Sequence, residues 1–147
     1  MLSCVAAGGI ALVGCGGGGS AGIGQAGDKA NATRTIEVRQ YDTPRLEPAF
    51  FNVKPSETVT FKIVNTGTRI HEFYLGNEKD QKGRESTMKE MGSSPMAMAD
   101  KANGVTVDPG ATKELTWTFA KSGQVLFGCH EPGDYEKGMK GTIRVSP

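Results

Sequence analysis

Seven short segments in which apolar and polar residues alternate, each closed by a turn, follow one another from Thr33 onward. In TRTIEVRQY the alternation places Ile36 and Val38 on one face, and in ETVTFKIVN it does the same for Val59, Phe61 and Ile63. The remaining segments, IHEFYLGN, NGVTVDPG, KELTWTFA, QVLFGC and TIRVSP, are rich in Val, Thr and aromatic residues. Turn signals bound them, as at Asn65 to Gly67, at Pro109 with Gly110, and at Ser122 with Gly123. Period-two segments this closely spaced cannot be housed in a helical fold. They predict an all-β chain, an antiparallel Greek-key β-sandwich over residues 34–147, with the alternating apolar residues as its core.

One segment lacks the strand pattern. Residues 78–102, EKDQKGRESTMKEMGSSPMAMADKA, are charged at first and rich in methionine afterwards, and predict a short helix followed by a loop inserted between two strands. Met88, Met91, Met96 and Met98 lie here. Thioethers are soft donors suited to cuprous ion. Met88 and Met91, three apart on a helix, also read as packing of the insertion onto the sandwich.

The front of the chain is of another kind. The apolar run from Val5 to Val13 is far shorter than the ~20 residues needed to span a bilayer as a helix, and reads as the core of a secretion signal. Its end, Leu12-Val13-Gly14-Cys15, resembles a bacterial lipobox, which would make Cys15 a lipid-attachment site; an ordinary cleaved signal is the alternative, and no Lys or Arg precedes the run. The expected organisation is a lipoprotein signal over residues 1–15, a glycine-rich tether over 16–33, and the sandwich beyond it. Two acyl chains on Cys15 would hold the domain at a membrane surface outside the cytoplasm. Seventeen basic against sixteen acidic residues leave no nucleic-acid footprint and no polybasic membrane patch, so the expected membrane attachment is by the anchor alone.

With Cys4 in the leader and Cys15 acylated, Cys129 is left as a lone thiol in an oxidising compartment. It is then buried and inert, an intermolecular bridge, or a metal ligand. His71 alternates with Phe73 and Leu75 on one strand face, while Glu72 and Tyr74 take the other. A histidine among apolar residues ordinarily reads as a hydrogen-bonded core residue. Cys129 closes an apolar strand and Met139 sits just before the next one. Thiolate, imidazole and thioether gathered at one end of a sandwich form a soft donor set for copper.

From Arg34 to the C-terminus the chain resembles the cupredoxins, the plastocyanin and azurin superfamily of small copper proteins. The run NTGTRIHEFYLG matches the upstream ligand as His71, and GCHEPGDYEKGMKG matches the family order of cysteine, four residues, histidine, four residues, methionine. That register gives Cys129, Asp134 and Met139, so an aspartate stands where the family has its second histidine. The resemblance implies one copper ion, held by His71, Cys129 and Met139 with Asp134 as fourth donor, and single-electron exchange with a redox partner protein. A carboxylate is harder than imidazole; it favours cupric over cuprous ion and can admit zinc.

His130 directly follows Cys129, and on an extended chain its side chain points to the opposite face. It is therefore expected to look away from the metal, as a solvent-facing loop residue. Glu131, Asp134 and Glu136 share a turn with Lys137 and Lys140 and read as solvated charges rather than an acid–base pair. No CxxC pair, phosphate-binding glycine loop or zinc-ligand repeat is present in the sequence, so an enzyme is not expected. Beside electron transfer stand two alternatives, a copper carrier or scavenger working with other copper-handling proteins and a metal-free interaction domain.

Overall fold

In the computed structural model, which describes residues 22–147, the alternating segments become strands numbered here in chain order. They are β2 (Arg34–Tyr41), β5 (Thr58–Asn65), β6 (His71–Gly76), β7 (Gly104–Val107), β8 (Thr112–Phe119), β9 (Gly123–Gly128) and β10 (Lys140–Val145). Short strands β1 (Gly24–Ala26), β3 (Arg45–Glu47) and β4 (Phe50–Val53) complete two five-stranded sheets. One sheet has the order β1-β8-β5-β2-β3 and the other β4-β10-β9-β6-β7. The expected sandwich is present, but its sheets are mixed and not purely antiparallel: β2 runs parallel to β5, and β4 parallel to β10. The chain leaves the first sheet after β3, contributes β4 to the second, and returns as β5. A strand that re-enters a sheet after such a crossover can run alongside its neighbour in the same direction, which a tight hairpin forbids.

Period-two alternation decides the core. Val38, Val59, Phe61 and Ile63 of the first sheet are fully buried against Phe73, Leu75, Val107, Phe127 and Ile143 of the second. Aromatic rings bridge the two layers: Phe61 meets Phe73 at 5.4 Å between centroids, and Phe73 meets Phe127 at 5.3 Å. On the outer face of the first sheet the threonines of β5 and β8 pair directly, Thr58 with Thr118 at 2.8 Å and Thr60 with Thr116 at 2.9 Å between hydroxyl oxygens.

The described part of the expected tether is folded. Gly24–Ala26 pairs with Phe119–Trp117 of β8, Ile23 enters the core, and its carbonyl accepts the Trp117 indole N–H at 3.3 Å. Gly24 is needed there for close approach: a Cβ would sit 2.1 Å from the Thr118 carbonyl oxygen. Glycine in this stretch admits a neighbouring backbone as well as loosening the chain, and composition does not distinguish the two uses. Cys15 and the lipobox lie outside the described residues.

The insertion forms helix α1 (Glu78–Met91). Asn77 and Asp80 cap its start reciprocally: the Asp80 N–H donates to Asn77 Oδ1 and the Asn77 N–H to Asp80 Oδ2, each at 2.9 Å. Its inward residues are Gln81, Arg84 and Met88, at helical spacing, and two of the three are polar. Gln81 donates to the carbonyls of Tyr74 and Leu126, while Arg84 pairs with Glu72 and donates to the Ala97 carbonyl. Met88 packs with Ala97, Met98 and Ile70, but Met91, expected beside it, is exposed. The helix is thus attached to β6 and β9 largely through buried polar contacts.

The Glu72–Arg84 pair is almost wholly withdrawn from water. Burial pushes the Glu72 carboxyl above the usual carboxylate range, although Arg84 opposes the shift. Removing one partner strands the other charge. Arg84→Ala is expected to cost about 3–5 kcal/mol in urea unfolding, whereas Lys82→Ala, which breaks an exposed pair with Glu78, is expected to leave the midpoint nearly unchanged.

Candidate metal centre

β6 starts at His71 and β9 ends at Gly128, and the two strands pair antiparallel with Tyr74 opposite Gly128. His71 and Cys129 therefore emerge at the same end of the second sheet. As the alternation predicts, His71 points inward with Phe73 and Leu75, all fully buried. The loop from Cys129 to Met139 then folds back on itself: the Asp134 N–H donates to the Glu131 carbonyl at 2.9 Å, the Met139 N–H to the Asp134 carbonyl at 3.0 Å, and the Cys129 N–H to the Met139 carbonyl at 3.0 Å. This folding carries Asp134 under the sheet end. Met139 and Cys129 are both fully buried in the main core.

Three donor atoms converge. Cys129 Sγ lies 3.7 Å from His71 Nδ1 and 3.8 Å from Asp134 Oδ2, and His71 Nδ1 lies 3.2 Å from Asp134 Oδ2. Donors bound to one ion at about 2.0–2.3 Å sit roughly 3.3–4.0 Å apart in tetrahedral or trigonal arrangement, so this triangle has the dimensions of a ligand set. Among the described residues, His71, Cys129 and Asp134 are the group of His, Cys and acidic side chains placed to hold a metal. Nitrogen, thiol sulfur and a carboxylate oxygen suit copper or zinc and exclude magnesium or calcium, which demand all-oxygen sites.

The orientation of His71 comes from Asp42, in the turn after β2. Asp42 Oδ1 lies 3.1 Å from His71 Nε2. The Asp42 carboxylate also accepts the Thr68 N–H at 2.7 Å, the Thr68 hydroxyl at 2.8 Å and the Arg69 N–H at 3.3 Å. These donors, the Thr68 N–H foremost, hold its carboxyl well below the usual range, so it is ionised and can only accept. The bond to Asp42 engages Nε2, which leaves Nδ1 as the ring nitrogen that faces Cys129 and Asp134. Gly67 makes room for this carboxylate: a Cβ there would lie 2.0 Å from Asp42 Oδ1.

Asp134 is held from the other side. One terminal nitrogen of Arg69 donates to Asp134 Oδ1 at 2.9 Å and to Oδ2 at 3.1 Å. Cys129 receives the Glu72 N–H on its sulfur at 3.2 Å, yet burial pushes the thiol far above its ordinary pKa. Without metal it is a thiol, and metal binding must displace its proton.

Of the four residues read from sequence as ligands, His71, Cys129 and Asp134 have donor atoms in mutual reach, and Met139 is fully buried at the loop's close, where its carbonyl accepts the Cys129 N–H. His130 does point away from this cluster, but it is not solvent-facing. It is fully buried, with Nδ1 2.7 Å from Glu85 Oε2 and Nε2 2.6 Å from Gln81 Oε1, and its ring stacks on Tyr135 at 4.4 Å. α1 covers the face that the extended strand would have left to water. Glu131 and Asp134 are likewise buried, not solvated; Glu136 is exposed and pairs with Lys89 at 2.6 Å. Of the insertion methionines, Met88 and Met98 pack in the small cluster, while Met91 and Met96 are exposed along a cavity of ≈530 Å³ shared with Lys79, Arg84 and Lys101. Asp42 and Arg69 were invisible to the sequence reading. Their only signal is position, Asp42 in a turn and Arg69 two residues before His71.

A β-sandwich carrying imidazole, thiol and thioether side chains at one end is the architecture of a copper-binding protein. The family model for copper binding proteins of the plastocyanin/azurin family matches residues 34–146, and the chain belongs to that family. It is 40% identical over 122 residues to the copper-resistant cuproprotein CopI of Rubrivivax gelatinosus, covering 83% of this chain and 72% of that protein. To the protein of the same name from Pseudomonas aeruginosa it is 35% identical, over 85% of this chain and 83% of the relative. Among solved structures, reduced auracyanin from Roseiflexus castenholzii superposes with a TM-score of 0.67 at 26% identity, over 79% of this chain and 99% of that one.

Two outcomes follow from the geometry around the donors. Asp42→Ala, which frees the His71 ring, is expected to weaken copper affinity about 10–100-fold in competition titrations. Because a protonated thiol must ionise on binding, affinity is expected to rise with pH across the neutral range, by about tenfold per pH unit for one displaced proton, and a Cys129→Ser variant is expected to lose that slope.

Proposed function

We propose that this protein holds one copper ion through His71, Cys129 and Asp134, with Met139 completing the site, and that it serves copper tolerance outside the cytoplasm by keeping the ion sequestered. The observation that carries the reading is the convergence of His71 Nδ1, Cys129 Sγ and Asp134 Oδ2 within 3.8 Å of one another in a buried pocket. The names of the CopI relatives, copper-resistant cuproproteins, support a role in copper handling. Copper bound there supplies a cupric–cuprous couple and a thiolate-to-metal absorption band.

The residues divide the work. Asp42 keeps the His71 nitrogen aimed inward, burial excludes water from Cys129, and the fold-back of the loop holds Asp134 in reach. A carboxylate donor favours the cupric state and suits retention better than rapid exchange. Electron transfer with a redox partner is the second reading, supported by the pre-oriented donors, which would rearrange little between oxidation states. A catalytic thiol is poorly served by this site, because Cys129 is fully buried and burial keeps it protonated. Anchoring through Cys15 belongs to the same proposal. Among the described residues no helix is long and apolar enough to cross a membrane.

Cupric ion added to the purified protein is expected to raise an intense visible band that disappears on reduction and in Cys129→Ser; absence of copper uptake would overturn the reading. Asp134→His is expected to strengthen the band and raise the reduction potential. In the native host, deleting the gene is expected to lower growth in copper-supplemented medium, with rescue by the wild type and not by Cys129→Ser. Normal copper tolerance in the deletion strain would favour the electron-transfer role instead.

A further inference from the structure

Arg69 touches none of the soft donors, yet it occupies both oxygens of the carboxylate that completes their triangle. Asp134 is buried to 1% exposure, whereas the Arg69 side chain remains 47% exposed, so the guanidinium reaches in from the surface to a carboxylate that water does not reach. The approach is not casual. The Arg69 N–H is tied to Asp42, the same carboxylate that orients His71, so one acidic side chain sets both the imidazole and the backbone from which the arginine extends.

We propose that Arg69 is the charge-balancing and positioning residue of the metal centre: its cation cancels the extra negative charge that Asp134 brings and holds the carboxylate in place when no metal is bound. The inference rests on the copper reading above and deepens it. The donor set contains two anionic groups once Cys129 ionises, against one if position 134 carried a neutral imidazole. Asp134 with Arg69 sums to zero, as an imidazole does. The pair thereby reproduces the net charge of a neutral donor while presenting an oxygen atom.

Two consequences differ from those of a structural ion pair alone. Because Arg69 competes for the same oxygens, it restrains cupric affinity, and because it is a cation near the ion it opposes the higher charge state. Removing it strengthens cupric binding relative to cuprous binding. A unit charge within about 10 Å at an effective dielectric near 20 alters that ratio by roughly tenfold.

The test uses five purified proteins: wild type, Arg69→Gln, Arg69→Lys, Asp134→His, and the Arg69→Gln/Asp134→His double variant. Each is measured for thermal stability without metal, for cupric and cuprous affinity by competition with copper alone, and for reduction potential. Arg69→Gln is expected to lower the melting temperature of the metal-free protein and to raise the cupric-to-cuprous affinity ratio about tenfold, equivalent to a potential lower by ~59 mV. Arg69→Lys, which keeps the charge, is expected to restore most of the potential. In the Asp134→His background the Arg69→Gln change is expected to have little effect on the melting temperature of the metal-free protein, since the arginine there has no buried carboxylate to hold. Equal losses of metal-free melting temperature on Arg69→Gln in both backgrounds would overturn the inference and leave the copper reading intact. Failure of the wild type to take up copper would overturn both.

Discussion

The carboxylate of Asp42 is the contact on which the working end of the sandwich depends. It accepts from Thr68 twice, from the Arg69 backbone and from His71 Nε2, and so ties the turn after β2 to the turn before β6. The first joins two strands of one sheet, and the second carries the chain from β5 of that sheet to β6 of the other. An ionised acceptor with several donors is rigid and directional in a way that packing alone is not. From it follow the orientation of the His71 ring, the path of the chain at Gly67 and the placement of the Arg69 side chain over Asp134.

Sheet geometry separates two polar systems that are neighbours in sequence. Alternation sends His71 and Cys129 into the core, and sends Glu72 and His130 to the opposite face. The inner pair meets Asp134. The outer pair is covered by α1, where Arg84 neutralises Glu72, and Gln81 and Glu85 engage His130. The insertion is therefore the roof over a buried polar layer on the back of the strands that carry the site. The same layer explains why α1 is weakly amphipathic: it satisfies polar groups already present, and a purely apolar face would leave them unpaired.

Asp134 is the point at which chemistry and fold constrain one another. A carboxylate at a buried position beside a thiol needs either a metal or a cation as partner, because an isolated buried charge is strongly disfavoured. The fold supplies Arg69 from the surface and leaves room for the first alternative, since Oδ2 also faces His71 and Cys129. The buried carboxylate is thus matched by a cation that reaches in from the surface.

The strands, the inward face of His71 and the soft donors at Cys129 and Met139 were legible in the residues, because a strand's period of two is a local property written in consecutive side chains. The helical insertion was legible through the loss of that period. Other features were not. The strand within the glycine-rich stretch, the burial of His130 and Glu131, and the contributions of Asp42 and Arg69 all arise from segments remote in sequence meeting in space. Periodicity states which way a side chain points from its own strand; it is silent on what lies opposite. Whether a neighbouring position meets water, a helix or an arginine is a matter of which surfaces the folded sheets bring together, and that arrangement made a lone aspartate the partner of a cation and of two soft donors.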